Sequence, residues 1–135
     1  MEKKILLIED EVRTVQGAFS LANLYGFDGT LDIVIVNCSQ DVDFNALSQY
    51  DLIFVDITLD QSEMDGLSII QKILRGTDYP LEQIIVLTGN YNVEDDLRNK
   101  GIDSTKVDVI YKPASYKDIT QIIKGKADNQ GSLNL

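Results

Sequence analysis

Five residues carry types and positions that suggest chemistry: Glu9, Asp10, Asp56, Thr88 and Lys112, each placed just after a short apolar block. The blocks are 5–8, 33–36, 52–55, 84–87 and 109–111; the second is followed by Asn37 and Cys38, and Lys112 is followed by Pro113. Carboxylates drawn into one crevice repel, by about 4 kcal/mol for two unit charges ~4 Å apart at an effective dielectric of ~20. A divalent cation relieves that repulsion. Oxygen donors without imidazole or thiolate select a hard ion of the Mg²⁺ type, which keeps several waters and is often completed by a phosphoryl oxygen. A phosphoryl group on Asp56 would need a cation and a hydroxyl for its equatorial oxygens, and Lys112 and Thr88 supply them.

The elements that must position these residues are legible in the hydrophobic pattern. None of the five blocks alternates, and a continuous apolar run of strand length reads as a strand buried on both faces of a helix-covered parallel sheet. Between them lie helical stripes: Val12, Val15, Phe19 and Ala22 with Gly26 as a stop, then Leu67, Ile70, Ile73 and Leu74 stopped by Gly76. Ser115 to Asp118 fits a capping box ahead of Ile119, Ile122 and Ile123. The expected fold class is α/β, a doubly wound five-stranded parallel sheet of the flavodoxin-like (βα)5 kind. Its common strand order, 2-1-3-4-5, makes the first and third strands neighbours and so gathers Glu9, Asp10 and Asp56 in one crevice.

Two helices read as weak: a short or irregular one carrying Val42, Phe44 and Leu47, and a polar one over 92–100 with Val93 and Leu97 as its large apolar residues. Residues 125–135 lose periodicity and read as a frayed tail, leaving 1–124 as one domain.

Composition narrows the function classes. Against 12 basic residues stand 22 acidic ones, so 135 residues carry a formal charge of −10, which disfavours phosphate backbones and anionic lipid surfaces. There is no His, so Ser-His-Asp catalysis, Cys-His catalysis and His-ligated zinc cannot be built from this chain alone. One cysteine, Cys38, permits no internal disulfide, and it reads as a small apolar filler. The basic start is closed by Glu9, Asp10 and Glu11 after a four-residue apolar block, and no run approaches the ~20 residues of a membrane helix, so a cytoplasmic location is expected.

The residues also carry a resemblance. I-L-L-I-E-D-E at 5–11, D-L-I-F-V-D at 51–56, M-D-G at 64–66, V-L-T-G at 86–89 and Y-K-P at 111–113 resemble, in order, the motifs of response-regulator receiver domains of two-component signalling. The resemblance covers about residues 3 to 124. It implies that Asp56 is the phosphoacceptor, attacking a phosphohistidine on a sensor histidine kinase or histidine phosphotransfer protein with Mg²⁺ bound. It further implies that Asp10 and Asp56 ligate Mg²⁺ with the backbone carbonyl of Thr58, Glu9 acting through water. Lys112 would pair with the phosphoryl group and Thr88 would move toward it, while the side chains of Thr58 and Asn90 would tune the lifetime of the mark. With no His in the chain, the donor must be another molecule. The expected output is a phosphorylation-dependent shape change of a stand-alone domain, acting through a protein partner, onward phosphotransfer or a homodimer.

Three departures from the family pattern stand out. The segment 57–63 is about two residues longer than usual and lacks Pro, with Asp60 and Glu63 adding charge. Val109 stands where the family has an aromatic switch residue, with Tyr111 two positions on; the segment around Ser104, Thr105 and Lys106 is atypical. Two rival functions follow: a receiver-like binding module that takes no phosphate, and a Mg²⁺-dependent aspartyl-phosphate phosphatase, for which Thr58 stands where a second Asp is needed. A flavin reading fails because acids, not a Ser/Thr/Gly cradle, follow the first block.

Overall fold

A computed structural model describes residues 3–59 and 63–133. The five apolar blocks form β1 (Lys4–Ile8), β2 (Asp32–Val36), β3 (Leu52–Asp56), β4 (Ile84–Thr88) and β5 (Asp108–Tyr111). They make one parallel sheet in the order β2-β1-β3-β4-β5. Every residue of β3 and β4 is buried, which is why those blocks run apolar without alternation.

Four α-helices cover the two faces: α1 (Val12–Phe27), α2 (Gly66–Gly76), α3 (Val93–Asn99) and α4 (Tyr116–Leu133). One face of the sheet, with Ile5, Leu7, Phe54 and Leu87, packs on Val15, Phe19 and Ala22 of α1 and on Ile119 and Ile123 of α4. Phe19 meets Phe54 edge-on, with ring centroids 5.0 Å apart. The other face, with Leu6, Ile8, Ile53, Val55 and Val86, packs on Leu67, Ile70 and Ile73 of α2 and on Val93 and Leu97 of α3. Two apolar residues suffice to seat the polar helix α3, both of them fully buried. The side chain of Val12 lies outside what is described.

The structure corrects the sequence reading in two places. No α-helix links β2 to β3; two 3₁₀ turns, Ser39–Asp41 and Leu47–Gln49, take its place, so four helices rather than five cover the sheet. Local side-chain bonding explains this, since Asp43 Oδ1 accepts the Asn45 amide and diverts that stretch from a helical pattern. Gly26 does not stop α1, which continues to Phe27 and ends where Asp28 and Gly29 turn left-handed. Gly26 serves instead the close approach of α1 to α4, because a Cβ there would lie 2.7 Å from Thr120 Cγ2.

Helix α4 runs through Gly125 to Leu133. A mid-helix Gly costs about 1 kcal/mol relative to Ala. Lys126 Nζ lies 2.7 Å from Asp108 Oδ2 and holds the helix to the sheet just beyond that point. At the other end of α4, the Ser115 hydroxyl accepts the Asp118 amide, as the capping box requires. Among the described residues no helix is long and apolar enough to cross a membrane.

Candidate functional site

Parallel strands deliver the residues that follow them to one rim of the sheet. Asp56 closes β3 and is 3 % exposed, and Glu9, immediately after β1, is fully buried. The Glu9 amide donates to Val36 O, which carries the sheet bonding one residue past β1 and fixes where its side chain emerges. Asp10 follows, half-buried. Glu9, Asp10 and Asp56 each bring one carboxylate oxygen to within 4.8 Å of the other two. Adjacent β1 and β3 thus gather the three acids as expected.

Lys112 reaches in from β5, two strands away. Its Nζ lies 2.6 Å from Glu9 Oε1 and 3.1 Å from Asp56 Oδ2. The Lys112 amide donates to Thr88 O, so β4 holds the start of this turn, and the Lys112–Pro113 peptide is cis. On the far side of Asp56, Oδ1 accepts the Thr58 amide at 3.1 Å, so both oxygens of this carboxylate are held.

Thr88 lies one residue past Leu87, the β4 partner of Asp56, and is 3 % exposed. Its hydroxyl oxygen accepts the Asn90 amide, leaving its proton to donate elsewhere. Thr58 and Asn90 are both exposed on loops at this rim, and Asn90 Nδ2 donates to Asp96. Tyr111, paired with Thr88 across the ladder, stacks on Tyr91 of the β4–α3 loop, with centroids 4.8 Å apart, whereas Val109 packs half-buried against the core.

The Glu9, Asp10 and Asp56 carboxylates and the Lys112 ammonium meet where Glu9 and Asp56 are almost wholly out of water. Burial, then hydrogen bonding and charge from Asp56, push the Glu9 carboxyl up from 4.5 to about 8 against the opposing pull of Lys112. For Lys112, burial alone would favour loss of the proton, but Glu9 and Asp56 outweigh it and raise its pKa. A trio of hard oxygen donors fits a hard dication such as Mg²⁺.

This has a measurable consequence. Glu9 binds its proton more tightly folded than unfolded, so that proton's contribution to stability is complete below about pH 4.5 and is lost as pH rises through about 8. With a chelator present, the melting temperature of the wild type is expected to fall across that window relative to Glu9→Gln. Parallel curves for the two proteins would contradict the buried-carboxyl assignment.

Two further residues near the site were given no role by the sequence reading, in which Gly66 stood only as the last letter of the M-D-G motif. Gly66 is buried at the start of α2, where a Cβ would stand 2.1 Å from the Asp56 carbonyl oxygen. The available signal was a Gly placed directly after a capping Asp, since Asp65 Oδ1 accepts the Ser68 amide and a helix start needs no Gly for its own sake. Ser39 is the other; it is buried although polar, and nothing in the sequence marks it. Of the two extra loop acids, Glu63 is exposed and Asp60 lies outside the described residues.

The family model of the response regulator receiver domain matches residues 5–124, a span that contains every residue of the site. The chain is a response regulator receiver domain. Among curated proteins, this receiver domain is 32 % identical over 132 residues to the transcriptional regulatory protein HprR of Escherichia coli, covering 97 % of this chain and 54 % of HprR. The chain therefore spans about half the length of that relative. The isolated receiver domain of NtrX from Brucella abortus superposes with a TM-score of 0.69 at 20 % identity, over 92 % of this chain and 98 % of that one. The longer NtrX chain gives 0.68 at 22 % identity over 99 % of this chain but only 28 % of its own length. These structures share the fold of the receiver domain.

Proposed function

We propose that this receiver domain is a phosphorylation switch in which Asp56 takes a phosphoryl group from a sensor histidine kinase or histidine phosphotransfer protein. The observation that carries the reading is the Lys112 ammonium seated between buried Glu9 and Asp56, with the Asp10 carboxylate drawn into the same cluster. An oxygen of Asp56 bonds to phosphorus while the P–N bond to the donor imidazole breaks. The imidazole nitrogen keeps the electron pair and takes up a proton.

Asp10, Asp56 and the Thr58 carbonyl would hold Mg²⁺, with Glu9 behind a water. When bound, the ion supplies charge neutralisation for the transferring group. The chain's own residues do the remainder. The Thr58 amide fixes the rotation of the acceptor carboxylate. Lys112, already hydrogen-bonded to Asp56, follows the negative charge onto the phosphoryl oxygens, and the Thr88 hydroxyl donates to another of them. Moving Thr88 pulls on Asn90, whose amide it accepts, and so displaces the loop that carries Tyr91. Tyr111 stands where that movement can be read at the surface.

Water attack on the acyl phosphate between exposed Thr58 and Asn90 resets the switch, so turnover is confined to the domain's own mark. We place this activity in the cytoplasm and assign the output to a protein partner or a second copy.

The intact mass after exposure to a small phosphodonor with Mg²⁺ tests the reading. One labile phosphoryl group is expected, absent with a chelator and absent in Asp56→Asn. A wild-type mass that never changes would favour the non-phosphorylated binding module. Steady release of phosphate from a phosphomonoester would favour the phosphatase.

A further inference from the structure

Four polar or charged residues are buried among the described residues: Glu9, Asp56, Thr88 and Ser39. The first three belong to the proposed switch. Ser39 begins the 3₁₀ turn after β2 and is 4 % exposed. Its hydroxyl oxygen accepts the Met64 amide at 3.1 Å and donates to Gln40 Oε1 at 3.0 Å. The same Gln40 Oε1 accepts the Glu63 amide at 3.1 Å. Two successive backbone donors on the return limb of the acceptor loop are thus satisfied by side chains from the neighbouring strand's exit. The root of the loop is closed separately, by the Gly66 amide donating to Ile57 O. The segment 57–63 is about two residues longer than is usual in the family and lacks Pro.

We infer that Ser39 and Gln40 are positioning residues that brace the loop following the acceptor and thereby set the rate at which Asp56 is phosphorylated. The inference rests on the proposed phosphoryl acceptance. The loop leaves β3 at Asp56 and carries the Thr58 amide that orients the acceptor's Oδ1. Freeing its return limb lets Thr58 and the acceptor carboxylate sample misaligned geometries, and a displacement of order 1 Å in such a site can cost up to about a hundredfold in rate. The effect is transmitted through the amides of Glu63 and Met64 that these side chains hold.

The test compares four variants of the 135-residue chain for rate of mass gain from a small phosphodonor at saturating Mg²⁺. Ser39→Ala and Gln40→Ala are expected to be slower by about tenfold. Ser39→Thr keeps the hydroxyl and Gln40→Glu keeps the acceptor oxygen, so both are expected to stay near the wild-type rate. Wild-type rates in both alanine variants would overturn the brace, as would equal slowing in all four. Amide exchange gives a readout independent of chemistry: Glu63 and Met64 are expected to be protected in the wild type and to exchange at least about tenfold faster in Ser39→Ala. Unprotected amides in the wild type overturn the brace. A wild type that takes no phosphoryl group, with both amides protected, overturns the switch and with it the brace's role in rate while leaving the contacts intact.

Discussion

Gly66→Ala is expected to lower the melting temperature by about 10 °C and to abolish phosphoryl acceptance together. The new methyl carbon would lie 2.1 Å from the Asp56 carbonyl oxygen and 2.8 Å from Ile57 Cα, distances no contact tolerates, and both neighbours are backbone, so no side chain can swing aside. Either α2 retreats from the sheet or the end of β3 moves. Overpacking of this kind costs roughly 2–3 kcal/mol, and a domain of this size loses about 3–5 °C per kcal/mol. The displaced backbone is that of the acceptor itself, which is why stability and chemistry fail together. Gly17→Ala is the control. That residue is exposed in α1 with no atom within 4 Å of the added carbon, and the change is expected to stabilise by roughly 0.5–1 kcal/mol. Calorimetry on both variants checks the pair, and a Gly66→Ala protein as stable as the wild type would refute the close approach.

Lys112→Met is expected to slow phosphorylation of Asp56 by about a hundredfold or more, the size of effect seen when one preorganised donor to a developing anion is removed. The ammonium is in contact with both buried acids of the site. Its removal leaves Glu9 and Asp56 facing each other out of water. The unfolding penalty is expected to be smaller than for a typical broken buried pair, because the raised Glu9 pKa shows that this carboxyl can take up a proton instead. Lys112→Met should therefore remain folded near neutral pH while its transfer rate collapses. Single-turnover phosphorylation beside circular dichroism separates the two effects. A folded Lys112→Met variant with the wild-type rate would remove Lys112 from the mechanism.

Strands and site were legible in the sequence for the same physical reason. A parallel strand covered on both faces, such as β3 or β4, has no solvent side on which to alternate, so it prints as an unbroken apolar run with a sharp end. The first polar residue after each run then stands at the rim, which is why Glu9, Asp56 and Lys112 stand out in the sequence. What stayed illegible depends on contacts between distant segments or on bonds within a few residues that compete with the helix. Asp43 turning the chain at Asn45 hid the missing helix between β2 and β3. The Lys126–Asp108 pair that carries α4 past Gly125 joins residues 18 apart, and Ser39 finds Met64 25 residues on. Gly66 was visible as a letter of a motif, but its reason, the carbonyl of Asp56 beneath it, exists only in the packed molecule.

The departures in sequence also acquire structural content. Val109 and Tyr111 both pack half-buried against the core, and Tyr111 also stacks on Tyr91, which is 76 % exposed, at the edge where the Asn90 loop meets β5. Past the longer segment, the amides of Glu63 and Met64 donate to Gln40 and Ser39.

The central claim is that the carboxylate closing β3 forms an acyl phosphate. Borohydride converts such an acyl group to the corresponding alcohol and leaves free carboxylates untouched, so reduction of the chain after treatment with a phosphodonor and Mg²⁺, followed by peptide mass analysis, locates the mark. The account predicts reduction at position 56, dependent on Mg²⁺ and on the phosphodonor. Reduction at Asp10 or Asp65, or no reducible residue in a chain that has bound Mg²⁺, would contradict it.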